Sequence, residues 1–104
     1  MKITLACASG MSTSILCQKI VKAAEAKGYK DVTCNAYGVS SLKGHAEGSS
    51  AILLGPQVSF QRAKVEAEWA PIPVMVIKMQ DYGMMNGKNV FDAAEALMKE
   101  KGII

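Results

Sequence analysis

A chain of 104 residues, 50% hydrophobic and 20% charged, suits one compact domain spanning residues 1–104, because single domains run to about 100–150 residues. That balance excludes a disordered polymer and a disulfide-stapled miniprotein, and no apolar run approaches the ~18 residues of a membrane span. The net charge of +3, from twelve Lys/Arg against nine Asp/Glu, is scattered and forms no basic stripe interleaved with aromatics, which argues against a nucleic-acid partner.

The opening Met1–Ala6 stretch is too short for a signal peptide, so a cytosolic protein is expected. Cysteines stand at 7, 17 and 34, an odd number with no Cys-x-x-Cys pair, and the single histidine cannot complete a common zinc site. No metal and no other cofactor is expected.

In chain order, Lys2–Ala6 (KITLA) reads as a short strand. A Ser/Gly cluster, Ala8 to Ser14, leads into a helix whose stripe includes Leu16, Cys17, Ile20, Val21, Ala23 and Ala24. Gly28 is placed to stop it. Asp31–Tyr37 alternates as a half-buried strand, with Val32, Cys34 and Ala36 on one side. Ser40–Ser50 is a Gly/Ser-rich loop with room for one helical turn, and Ala51–Leu54 (AILL) is an apolar strand closed by Gly55-Pro56. Val58–Trp69 reads as a single helix with Val58, Val65 and Trp69 inward, broken by Pro71 and Pro73. Pro73–Ile77 is a fourth strand, Asp81–Gly87 is turn-rich, and a last helix runs from about Lys88 to Lys101 on Val90, Ala94, Leu97 and Met98.

Strand and helix alternate throughout, which predicts a parallel sheet with crossover helices on both faces. In such sheets ligands bind beyond the carboxyl ends of the strands, so the loops after Ala6, Tyr37, Leu54 and Ile77 matter most. The first of these carries the strongest signal: Cys7-Ala8-Ser9-Gly10-Met11-Ser12-Thr13-Ser14, between a strand and a helix. Small residues let the backbone curl its N–H groups inward as an anion nest, reinforced by the positive end of the helix dipole. A cysteine at the mouth of such a nest is expected to have a lowered pKa and to attack a phosphoryl group whose oxygens the nest holds. A free cysteine is more commonly a small core residue, but position separates the three. Cys7 falls where this fold takes ligands, whereas Cys17 on a helix and Cys34 on a strand read as core.

Cysteine phosphatases on a similar fold use Cys-x5-Arg, in which the arginine clamps the phosphoryl group. Here Thr13 occupies that position, no arginine precedes Arg62, and no proline follows an aspartate. A loop without the clamp or an acid for the leaving group favours holding and passing on a phosphoryl group over hydrolysing it.

The segment CASGMSTS at Cys7–Ser14 resembles the phosphorylation loop of enzyme IIB subunits of the phosphoenolpyruvate-dependent sugar phosphotransferase system, in the lactose/cellobiose (chitobiose) branch. The resemblance continues in Leu53-Leu54-Gly55-Pro56-Gln57-Val58 and in Asp81-Tyr82-Gly83, at matching spacing over almost the whole chain. It implies a four-stranded parallel sheet of order 2-1-3-4, resembling low-molecular-weight cysteine phosphatases. It implies Cys7 as the phosphocysteine, with Ala8, Ser9, Gly10, Met11, Ser12, Thr13 and Ser14 supplying the oxygen ligands. Phosphate would come from a phosphohistidine on enzyme IIA and go to a sugar, such as cellobiose, chitobiose or lactose, held by the membrane subunit enzyme IIC. The protein would then lie at the inner face of the membrane through enzyme IIC, without inserting. Two departures, Phe60 where relatives often carry Tyr and Asn86-Gly87 where Asp-Gly is common, bear on partner contacts.

Other residues have competing readings. Gln57 either lines the site or is an ordinary polar residue at a helix start. Tyr82 either flanks the Cys7 loop or, the favoured reading, is a simple loop anchor, and His45, in a Gly/Ser-rich loop, reads as solvent-exposed filler rather than as a phosphoacceptor. Met11, Met79, Met84 and Met85 suit either a docking rim or gap-filling. Gly83–Asn89 fails as a nucleotide loop, because its glycines are one residue too close and Asn89 replaces the Ser/Thr. The competing functions are a small cysteine phosphatase or arsenate-reductase-like enzyme, and a non-catalytic phosphate sensor in which Cys7 would be dispensable.

Overall fold

The computed structural model of the chain describes residues 1–8 and 14–104. Its strands are β1 (Lys2–Cys7), β2 (Thr33–Gly38), β3 (Ala51–Leu54) and β4 (Val74–Val76), all parallel in the order β2-β1-β3-β4. The helices are α1 (Ser14–Ala26), α2 (Arg62–Trp69), α3 (Met79–Gly83) and α4 (Gly87–Glu100).

Alternation along β1 and β3 explains the layers. Side chains two apart share a face, so Ile3, Leu5, Ala51 and Leu53 pack with Leu16, Cys17, Ile20 and Ala24 of α1 and with Val90, Phe91, Ala94 and Met98 of α4. Ala6, Ile52 and Leu54 face the other way, into Leu42, Ala46, Val58 and Val65. Because β3 is covered on both sides, AILL is apolar without alternation. The one polar residue wholly buried in β1, Thr4, points to the second layer and is satisfied there. Its hydroxyl donates to Ser49 Oγ at 2.6 Å, and Ser49 donates in turn to the Ala46 carbonyl at 2.6 Å. That relay pins the loop between β2 and β3 over the sheet.

α1 ends as its sequence foretells. Gly28 takes a φ of +94°, and the Tyr29 amide returns to the Ala24 carbonyl at 3.2 Å. α1 and α4 lie side by side on the first face. Lys27 ion-pairs with Asp92 at 2.5 Å and Glu95 at 2.6 Å, and the Tyr29 hydroxyl donates to Glu95 at 2.6 Å. The Tyr29 ring meets Phe91 edge-on at 5.6 Å.

Two stretches differ from the sequence reading. The single helix expected over Val58–Trp69 is a 3-10 segment, Pro56–Gln61, followed by α2. Pro56 has no amide to donate, the first bond is the tight Val58 N–H to Gly55 carbonyl at 3.0 Å, and β-branched Val58 leaves helical geometry at φ −117°. The turn-rich stretch after β4 holds α3 before Met85 at φ +52° reverses the chain. α4 then starts where Asn86 Oδ1 accepts the Asn89 amide at 3.1 Å.

Candidate functional site

Parallel strands put all four carboxyl ends at one pole. A crossover helix must start where its preceding strand finishes, so the α1 N-terminus at Ser14 belongs to the same pole as Cys7, the last residue of β1. Cys7 pairs in register with Gly38 at the end of β2. Ala8 and Ser14, the flanking members of the expected phosphate-binding set, are both exposed, whereas Ser9, Gly10, Met11, Ser12 and Thr13 lie outside the described residues.

Where the sequence expects the Cys7 sulfur at an open mouth, the residue is only 2% exposed, and its thiol points to the Tyr37 carbonyl oxygen at 3.8 Å. Next along the sheet, the Gly55 amide donates to the Ala6 carbonyl at 2.8 Å, tying the end of β3 to the residue preceding Cys7. This junction draws in two side chains from other loops. A β-carbon on Gly55 would stand 3.1 Å from Gln57 Oε1, 3.4 Å from the Tyr82 ring and 3.6 Å from the Ala6 carbonyl oxygen. Gln57 and Tyr82 therefore converge on the strand end beside Cys7. Tyr82 also packs half-buried against the α1/α4 core, so it anchors α3 and flanks the site at once. The chain offers each of them as a neighbour of the site among competing readings, whereas their meeting at Gly55 depends on the β1–β3 register and on α3.

The exposed His45 stacks on Tyr37 with ring centroids 4.3 Å apart, so it has a defined seat beside the end of β2. The methionines divide: Met79 and Met84 are exposed, Met85 packs on the core, and Met11 is outside the described residues. Cys17 is buried as expected, but Cys34 is only half-buried, and the two line one cleft. No group of three or more metal-ligating side chains occurs among the described residues.

Residues 2–93 match the family described as the lactose/cellobiose-specific IIB subunit of the phosphotransferase (PTS) system. The chain belongs to that family. A galactose-specific EIIB component from Lactococcus lactis subsp. cremoris is 48% identical over 103 residues, covering 92% of this chain and 94% of that protein. A cellobiose-specific EIIB component from Lactococcus lactis subsp. lactis is similar to the same degree, 48% over 103 residues with the same coverage. The solution structure of a cellobiose-specific IIB component from Borrelia burgdorferi superposes with a TM-score of 0.75 at 36% identity, covering 97% of this chain and 94% of that one. As an enzyme IIB subunit, the protein is a phosphocarrier and phosphotransferase of sugar transport. Its sheet order is the one its resemblance implied, on the low-molecular-weight phosphatase-like fold that IIB domains share. Among the described residues, no helix of this IIB subunit is long and apolar enough to cross a membrane.

Proposed function

We propose that Cys7 is the residue on which this IIB subunit carries its phosphoryl group. The observation that supports it most is position. Cys7 ends a central strand, one residue past the Ala6–Gly55 junction, at the pole where α1 directs the positive end of its dipole. In the proposed first step the Cys7 sulfur attacks the phosphorus of a phosphohistidine on enzyme IIA in line. A P–S bond forms as the P–N bond breaks, and imidazole leaves with the electron pair. Ala8 to Ser14 hold the three phosphoryl oxygens, supplying the stabilisation that a phosphatase draws from arginine. In the second step a hydroxyl of a sugar bound by enzyme IIC attacks the same phosphorus, the Cys7 thiolate leaves, and a base on enzyme IIC takes the hydroxyl proton.

The sugar is a β-linked disaccharide such as cellobiose, chitobiose or lactose, delivered at the cytoplasmic face where enzyme IIC opens. Because Cys7 is buried beside the Tyr37 carbonyl, both steps require the sulfur to be uncovered as a partner docks.

The test is to incubate the protein with phosphorylated enzyme IIA and map the labelled residue by mass spectrometry under conditions that preserve thiophosphate. Label on Cys7, and its loss in a folded Cys7→Ser variant, is expected. Label on His45, no label at all, or transfer that survives Cys7→Ser would overturn the proposal. Steady hydrolysis of p-nitrophenyl phosphate would replace it with a phosphatase.

A further inference from the structure

Cys17 and Cys34 belong to no step of the phosphocarrier chemistry, yet they are neither isolated nor sealed in the core. Cys17 lies on the buried face of α1, 4% exposed, and Cys34 lies on β2, an edge strand that α1 covers. Cys34 packs against the core cluster that contains Cys17, and each thiol shifts the ionisation of the other. Both open onto a cleft of about 340 Å³ rimmed by Gln18, Val21, Lys22 and Glu25. That is roughly ten times the ~30 Å³ share of one water molecule, ample for a small peroxide. A bond between them requires the two sulfurs to close to the disulfide length of about 2.0 Å.

We propose that Cys17 and Cys34 are a second thiol site, which a peroxide converts to an intramolecular disulfide joining α1 to β2 while Cys7 stays reduced. Each thiol is the largest influence on the ionisation of the other. Written with Cys17 as the attacking thiolate, the first step is attack on a peroxide oxygen. The O–O bond breaks, hydroxide leaves and is protonated to water, and Cys17 becomes a sulfenic acid. Cys34 then attacks the Cys17 sulfur, the S–O bond breaks, and a second water carries off the Cys34 proton. The two thiols are oxidised by two electrons, and hydrogen peroxide is reduced to two waters.

Cys7 is out of reach of Cys34. Cys34 pairs in register with Ile3, and Cys7 is four residues further along β1, or about 13 Å at ~3.3 Å per residue, well beyond the ~7 Å limit between bridged α-carbons. The proposal therefore stands apart from the role of Cys7.

The experiment treats the reduced full chain with equimolar hydrogen peroxide, quenches, denatures, and counts alkylatable thiols by mass. Expected is a fall from three free thiols to one, a loss of two hydrogens that dithiothreitol reverses, and alkylation retained at Cys7. The Cys7→Ser variant should still form the bond, which assigns it without ambiguity. Cys17→Ser and Cys34→Ser, checked for folding by thermal melting, should keep both remaining thiols free. Three free thiols after peroxide, a cross-link that includes Cys7, or sulfinic acid without a cross-link would each overturn the proposal.

Discussion

Gly87 opens α4 with no side chain because there is no space for one. A β-carbon there would sit 2.5 Å from the carbonyl carbon and the β-carbon of Lys19 on α1. Gly87→Ala must push the two helices apart, and we expect a loss of about 1–3 kcal/mol, read from the urea midpoint. The neighbouring departure from the family pattern is accounted for locally. Asn86 supplies through Oδ1 the helix cap for which an aspartate also serves, and its amide rests on the Asp81 carbonyl at 2.8 Å. The position thus answers to helix initiation, although the chain alone offered it as a partner contact.

The α1–α4 pair shows how one element holds another. Lys27, the largest influence on both, keeps the Asp92 and Glu95 carboxyls below their ordinary values of 3.8 and 4.5, with Tyr29 adding to the effect on Glu95. Those two carboxylates raise the Lys27 pKa above its ordinary 10.5. A depressed carboxyl contributes stability that is present above its unfolded pKa and lost as pH falls through its folded one. A raised lysine contributes stability that is present below its unfolded pKa and lost as pH rises through its folded one. The pair should therefore hold across neutral pH and loosen at both extremes. In Glu95→Gln, melting temperature against pH should show a shallower acid limb, and an unchanged limb would mean the pair is fully screened. α1, β3 and α4 could be read almost to their ends, because an apolar stripe, a continuous apolar run and flanking glycines are all local signals. α3 could not: five residues make too short a stretch to show a period, and its Asp, Gly and Asn look like turn chemistry. The break at Val58 was equally hidden, since the stripe of Val58, Val65 and Trp69 is the same whether or not the helix is continuous.

At the scale of the whole molecule, the three most exposed large apolar side chains among the described residues lie in the segments that follow β3 and β4. Phe60, Met79 and Met84 are 79%, 75% and 68% exposed, on the chain just after β3 and β4. Large apolar groups left in water at the Cys7 pole suit transient contact with a protein donor. Phe60→Ser should leave stability within about 0.5 kcal/mol while raising the KM for phosphorylated enzyme IIA several-fold, measured as the rate of phosphoryl acceptance. The pole itself was legible from strand–helix alternation and the placing of Cys7. The meeting of Gln57 and Tyr82 at Gly55, and of Cys17 with Cys34, depends on register and helix rotation, which no local pattern carries. Because every strand runs the same way, the loops that follow the strands gather at one pole, apart from most of the two packed layers. Relatives named for galactose and for cellobiose are equally similar to this chain, as an architecture of this kind permits: evolution can retarget such a courier by rewriting one end and leave its chassis alone.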